Sequence, residues 1–197
     1  MIIGIDIDGC MCDDHAFRLE QWGKYTYENG LPVMDMPHGY EWKVSYIDRW
    51  SNRDIFRSFM FEYIENVPPR FFVGEVTQKL HEEGHQIIIC TGRSGGLDND
   101  ERGRKIREIT ADWLKKNGIH YDKLLFTGFP KIDYLRPYNC DLIVEDAVFT
   151  IESVSKEIPV LIFDNPYNYD FECDNVTRVY SWYDIYRYVH ENVVKTQ

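Results

Sequence analysis

The chain's 197 residues allow one substantial core, or one core with a smaller module attached, and are too few for two domains of ordinary size. With 44% hydrophobic and 28% charged residues and no repeat or biased tract, the composition is that of a globular protein and excludes a disordered chain. A formal charge of −11 argues against a general nucleic-acid binder, so an anionic partner must be small and met by local positive charge.

The first predicted element is an apolar strand, Ile2–Ile5, that runs straight into Asp6-Ile7-Asp8-Gly9. It is too short and too quickly acidic for a signal peptide. No run elsewhere approaches the roughly eighteen apolar residues needed to span a bilayer, so a cytoplasmic protein with no membrane partner is expected. In an extended segment Asp6 and Asp8 share a face, and carboxylates that close need a cation or a shared proton. Oxygen ligands at a strand end suit a hard ion such as Mg²⁺, and an aspartate beside it can attack phosphorus. The five cysteines are odd in number and lack zinc-ligand spacing. Cys10 and Cys12 read as packing residues, although their place beside Asp8 raises the prospect of sensitivity to thiol reagents.

From about Asp13 to Arg70 no buried strand is predicted, only two helices, roughly Ala16–Glu28 and Arg53–Asn66, the second capped by Ser51. Pro68-Pro69 returns the chain to the sheet. A helical insertion directly after the first strand lies over the strand ends, in the position of a lid. It is rich in aromatics, most of which are expected to pack a core of the cap's own, with a few left to stack on a planar base.

A helix over Val73–Glu83, stopped by Gly84, leads to a second buried strand, Ile87–Cys90, followed by Thr91-Gly92-Arg93. A hydroxyl, a glycine and a cation in succession can bind phosphate through side-chain and backbone donors. Arg93 has the alternatives of solvent or of an acid such as Asp98 or Asp100, and Gly95-Gly96 with Asp98–Glu101 reads as a loop. Arg102–Asn117 carries Ile106, Ile109, Trp113 and Leu114 at helical spacing. The third strand, Leu124–Phe126, delivers Lys131 a few residues on, a cation able to neutralise a carboxylate and a phosphoryl group together. The fourth, Leu142–Val144, delivers Glu145-Asp146. A helix over Val148–Lys156, a strand at Val160–Phe163 and a helix from Ser181 to about Val193 complete an alternation that implies a parallel sheet covered on both faces.

Taken together, Asp6-Ile7-Asp8-Gly9, Thr91, Lys131 and Glu145-Asp146 resemble, in order, the four motifs of the haloacid dehalogenase-like phosphohydrolase superfamily. The helical insertion and the Thr-Gly-Arg motif look most like the cytosolic deoxyribonucleotidase-type 5′-nucleotidases. The resemblance implies a Rossmann-like α/β core, 1–13 and 70–197, with a helical cap, 14–69. It implies a phosphomonoesterase that hydrolyses a small phosphate ester, a nucleoside 5′-monophosphate by the closer likeness, through an aspartyl-phosphate. Asp6 would be the nucleophile and Asp8 the acid and base. Thr91, Gly92, Arg93 and Lys131 would hold the phosphate. Mg²⁺ would be held by Asp6, the Asp8 carbonyl and Asp146, with Glu145 behind them or as an alternative ligand. Glu145 stands where many relatives carry aspartate, a feature shared with sugar-phosphate mutases, so phosphoryl transfer to an acceptor is the alternative, and a silent phosphate sensor a further one. No oligomerisation motif is present, which leaves a homodimer open.

Overall fold

The computed structural model describes residues 1–32, 49–93 and 100–193. Six parallel strands form one sheet: β1 Ile2–Ile5, β2 Gln86–Thr91, β3 Lys123–Phe126, β4 Leu142–Glu145, β5 Val160–Phe163 and β6 Val176–Val179. Their order is β3-β2-β1-β4-β5-β6. The chain winds outward from β1 in both directions, so a crevice opens between the C-terminal ends of β1 and β4.

The pleat explains why helices cover both faces. Ile3, Ile5, Ile87, Ile89, Leu142 and Val144 point to one side, where they join one hydrophobic cluster. That side carries α2 Arg49–Asn66, α3 Val73–Glu82, α4 Glu101–Lys116 and α7 Trp182–Val193. The alternate residues Ile88, Cys90, Ile143, Val160 and Ile162 point to the other side, into a second cluster with α5 Ile132–Leu135 and α6 Val148–Val154. Strands buried on both faces read as continuous apolar runs, which is why β1, β2, β4 and β5 were visible in the sequence; β3, at one edge and only partly buried, still carries the apolar run Leu124–Phe126. The sixth, Val-Thr-Arg-Val, has a half-exposed pattern because it lies at the sheet edge, paired only with β5.

The insertion contributes α1 Asp14–Glu28 and α2. Helix α1 starts two residues before the expected point, with Asp13 accepting from the Ala16 amide (3.2 Å) as its cap. Helix α2 begins at Arg49, so Ser51 lies within it and does not cap it. Tyr63, Ile64 and Val67 of α2 and its C-terminal flank enter the main core, with Phe17, Phe59 and Phe61 packed against the same cluster. Those four aromatics share the sheet's core, whereas Trp22 is buried outside that cluster, edge-on to Tyr25, and Tyr27 is exposed; Tyr40, Trp42 and Tyr46 lie outside the described residues, as do Gly95-Gly96 and Asp98. No helix among the described residues is long and apolar enough to cross a membrane.

Candidate active site

Asp6 leaves β1 with its amide still donating to the Val144 carbonyl (3.0 Å), and Glu145 ends β4, so the sheet itself fixes the two carboxylates side by side. Lys131, brought in by the loop after β3, bridges them. Its Nζ donates to Asp6 Oδ1 at 2.9 Å and to Glu145 Oε2 at 2.6 Å. The second oxygen of Glu145 accepts from the amides of Asp146 (3.3 Å) and Ala147 (3.2 Å). Burial by itself would strip the lysine's proton, but Asp6 and Glu145 outweigh it and hold the ammonium well above its ordinary pKa.

Asp146 stands behind Asp6. Its carboxylate accepts from the Tyr167 hydroxyl and its carbonyl from Asn168 Nδ2 (2.9 Å). Burial, opposed by Lys131 and reinforced by Glu145 and Asp8, raises Asp6 to about 7. Burial together with Glu145 and Asp6 drives Asp146 well above the usual carboxylate range. One ammonium therefore faces three buried carboxylates, and the balance of charge is negative. Asp6, Glu145 and Asp146 each bring an oxygen within 4.8 Å of the others. An all-oxygen set with surplus negative charge fits a hard divalent cation.

Gly9 is required here. Its φ is +81°, and a Cβ would come within 2.1 Å of Asp146 Oδ2 and 2.6 Å of the Tyr167 hydroxyl. The Gly9 carbonyl accepts from Arg70 Nη2 (3.0 Å) and Asn165 Nδ2 (3.1 Å), which locks the turn that carries Asp8.

Asp8 has a different environment, its side chain 30% exposed. Arg93 Nε donates to both its oxygens (3.0 and 3.1 Å), Arg93 Nη2 donates to Oδ1 (2.5 Å), and the Tyr63 hydroxyl donates to Oδ1 (2.5 Å). Burial would raise this carboxyl; the Arg93 ion pair and the Tyr63 bond more than reverse it, and its pKa lies below the ordinary value. The structure corrects the alternatives considered for Arg93. It is buried and paired with Asp8, between the rings of Tyr63 and Trp113, while Asp100 accepts from the Gly103 amide (2.7 Å) as the cap of α4. Packing of α2 on α4 encloses the side chain, which removes the solvated alternative and makes Asp8 the acid it pairs with. Arg93 Nη1 is buried with no hydrogen-bond partner among the described residues.

Thr91 ends β2 fully buried, its Oγ1 accepting from the Arg93 amide (3.2 Å). It shapes the loop, whereas Gly92 and Arg93 line the cavity. Cys10 and Cys12 are fully buried, and burial with the adjacent carboxylates pushes both thiols well above their usual range, the direction opposite to that of an activated cysteine.

These groups line a cavity of about 750 Å³. Asp6, Asp8, Lys131 and Asp146 line it together with Arg18, Met60 and Tyr63 of α1 and α2. Phe129 and Phe149, a tilted ring pair 5.6 Å apart and largely exposed, lie at its side. The residues missed from sequence are Tyr63, Arg70, Asn165 and Tyr167. Asn165 and Tyr167 follow a buried strand, β5, as Asp6 follows β1, so the same strand-end rule would have found them. Nothing local marked Tyr63 or Arg70.

A family model described as "5' nucleotidase, deoxy (Pyrimidine), cytosolic type C protein" matches residues 1–197. A nucleotidase from Clostridium acetobutylicum is 25% identical over 197 residues, covering 99% of this chain and 96% of the relative. A Bacillus subtilis protein, whose name assigns it provisionally to the nucleotidases, is 31% identical over 116 residues; that match spans 57% of this chain and about half, 55%, of the relative. Among solved structures, a haloacid dehalogenase-like hydrolase from Streptococcus pneumoniae superposes with a TM-score of 0.68 at 14% identity, covering 95% and 97% of the two chains. CbbY from Rhodobacter sphaeroides, in complex with phosphate, gives 0.59 at 10% identity over 93% and 95%. With the whole chain matched, the fold shared and the acidic strand ends gathered at one crevice, this protein belongs to the cytosolic type C 5′-nucleotidase family, on a haloacid dehalogenase-like fold.

Proposed function

We propose that the chain is a Mg²⁺-dependent phosphomonoesterase acting in the cytoplasm on nucleoside 5′-monophosphates through an aspartyl-phosphate, with residues 14–69 as its cap. The observation that carries this reading is the buried cluster of Asp6, Lys131, Glu145 and Asp146 beside Asp8 in one cavity. A cavity of about 750 Å³ lies within the range of small-molecule pockets, about 300–1,000 Å³.

Mg²⁺ would be held by Asp6, the Asp8 carbonyl and Asp146, where it would supply charge to balance the carboxylates and the phosphate oxygens. Asp6 Oδ1 is occupied by Lys131, which leaves Oδ2 to attack phosphorus. As the Asp6–phosphorus bond forms, the ester bond breaks and Asp8 gives its proton to the leaving oxygen. Water then attacks phosphorus, Asp8 takes its proton, and inorganic phosphate leaves with Asp6 restored. Glu145 positions Lys131 against both the nucleophile and the phosphate. Arg93 holds Asp8 ionised in the described arrangement, which suits its role as base; to serve as acid in the first step Asp8 takes a proton from the arriving phosphate monoester, and the unpartnered Nη1 of Arg93 is a donor for the phosphate. Thr91 fixes the Gly92-Arg93 loop that receives the phosphate.

The test is phosphate release from nucleoside monophosphates, deoxynucleotides and sugar phosphates, with Mg²⁺ or EDTA. Mg²⁺-dependent release from the nucleotides is expected. Activity confined to sugar phosphates, or transfer to an added nucleoside or sugar in place of water, would replace this reading with the phosphotransferase one.

The charge balance predicts a second result. Asp6 ordinarily titrates at 3.8 and in the folded chain at about 7, so the folded state holds its proton more tightly than the unfolded one. The stability this contributes is complete below the unfolded value and is lost as pH rises to about 7. A divalent ion that binds the ionised cluster restores it. Mg²⁺ should therefore raise the unfolding temperature by more near pH 8 than near pH 5.5, roughly, as measured by thermal denaturation. An equal shift at both values would mean that the ion binds elsewhere.

A further inference from the structure

We propose a second metal site, for a borderline transition-metal ion such as Zn²⁺, formed by His81, His120 and Asp122 at the opposite end of the sheet from the carboxylate cluster. One ligand atom from each lies within 4.8 Å of the others. His81 comes from the last turn of α3, and His120 and Asp122 from the connection between α4 and β3. Two imidazoles and one carboxylate form a donor set that suits Zn²⁺, Co²⁺ or Ni²⁺ and leaves a position for water. It differs in kind from the all-oxygen set of Asp6, Glu145 and Asp146.

Two of the three ligands are held from behind. Asp122 exchanges bonds with Ile87: its amide donates to the Ile87 carbonyl (2.8 Å), and its Oδ2 accepts from the Ile87 amide (2.7 Å), which leaves its second oxygen for another partner. The His120 amide donates to Thr77 Oγ1 (3.1 Å) on α3. Gly74 allows this approach, because a Cβ there would come within 2.8 Å of the Asn117 carbonyl oxygen. Such outer contacts orient ligands before the ion arrives.

The independent sign of a missing partner is His120 Nε2. It is shielded from solvent and has no hydrogen-bond partner among the described residues, although its ring stacks on His81 with centroids 3.6 Å apart and 27° between planes. A buried ring nitrogen left unsatisfied costs free energy that a metal bond would recover. Ligand bonds of about 2.0–2.2 Å in a tetrahedral site put ligand atoms roughly 3.3 Å apart. The stacked rings do not yet aim both nitrogens at one point, so His81, the exposed member of the pair, would turn to complete the site. Once bound, the ion would tie α3 to the start of β3.

Cobalt titration of the full chain in millimolar Mg²⁺, followed by visible absorption, tests this. The expected result is one tetrahedral-type Co²⁺ spectrum per chain, displaced by Zn²⁺, with Zn²⁺ also raising the unfolding temperature. His81→Ala and His120→Gln should each weaken binding at least about tenfold. Asp6→Asn should leave the spectrum unchanged, which separates this site from the proposed catalytic one. His81 is exposed, so His81→Ala tests the site even if His120→Gln disturbs the fold. No Co²⁺ spectrum in the parent protein, or one that persists unchanged in both histidine variants, would overturn the site.

Discussion

Asp6→Asn should abolish phosphate release, by at least about 10⁴-fold in kcat, since removing the proposed nucleophile would eliminate the covalent route and leave only the surrounding stabilisation. The substitution keeps the shape and removes the charge. Lys131 retains Glu145 as a partner at 2.6 Å, so the buried ammonium is not orphaned. Asp146 loses one of the three carboxylates that drive its pKa up, so the metal-free variant should be at least as stable as the parent near neutral pH. The stabilisation by Mg²⁺ should shrink as well, because one of its proposed ligands has lost its charge. Phosphate release combined with thermal denaturation checks both parts. A folded variant with full Mg²⁺-dependent activity would place the nucleophile elsewhere.

How much of this could be read before the fold was seen depended on where each residue's position is decided. Asp6 and Glu145-Asp146 were legible because a buried strand announces itself as an apolar run, and the residues that follow are delivered to one edge of a parallel sheet. Lys131 follows its strand at a greater distance, yet β3 beside β2 leaves its loop little choice of destination. Arg93 was found but its partner was not. The pairing with Asp8 joins residues 85 apart in sequence and depends on α2 packing against α4, which no local pattern encodes. Tyr63 was visible as one aromatic among many, and only its hydroxyl's position against Asp8 distinguishes it from Phe59 or Phe61. Strand β6 and Ser51 show the other limit. The edge strand β6, Val-Thr-Arg-Val, has no apolar run to detect, unlike β3 at the other edge, and a serine that could cap a helix gives no sign of whether the helix has already begun.

Lys131→Met should produce the other large effect, and on two quantities at once. Methionine keeps the length of the side chain and removes the cation that bridges Asp6 and Glu145. Breaking a buried ion pair by removing one partner typically costs about 3–5 kcal/mol, because the partners left behind are buried charges. Here those partners can take up protons, so the loss should be largest near pH 8 and should diminish in acid, where protonated carboxyls need no cation. The sign follows from Asp6: without Lys131, the one strong influence lowering its pKa disappears, and the carboxyl titrates still higher than about 7. The rate should fall by roughly 10²–10³-fold even with saturating Mg²⁺, since a preorganised cation facing the developing charge of the transferring phosphoryl group is gone. Mg²⁺ should restore stability more than rate: the ion can balance the carboxylates, but on the proposed mechanism Nζ is the cation that would reach Asp6 and the phosphate together. Lys131→Arg should not rescue the rate either, because a planar guanidinium does not fit where one Nζ meets Asp6 at 2.9 Å and Glu145 at 2.6 Å. Steady-state kinetics beside denaturation curves near pH 5.5 and pH 8, roughly, separate the two effects. A stability loss without a rate loss would reduce Lys131 to a structural counter-ion and move the neutralising role to Arg93.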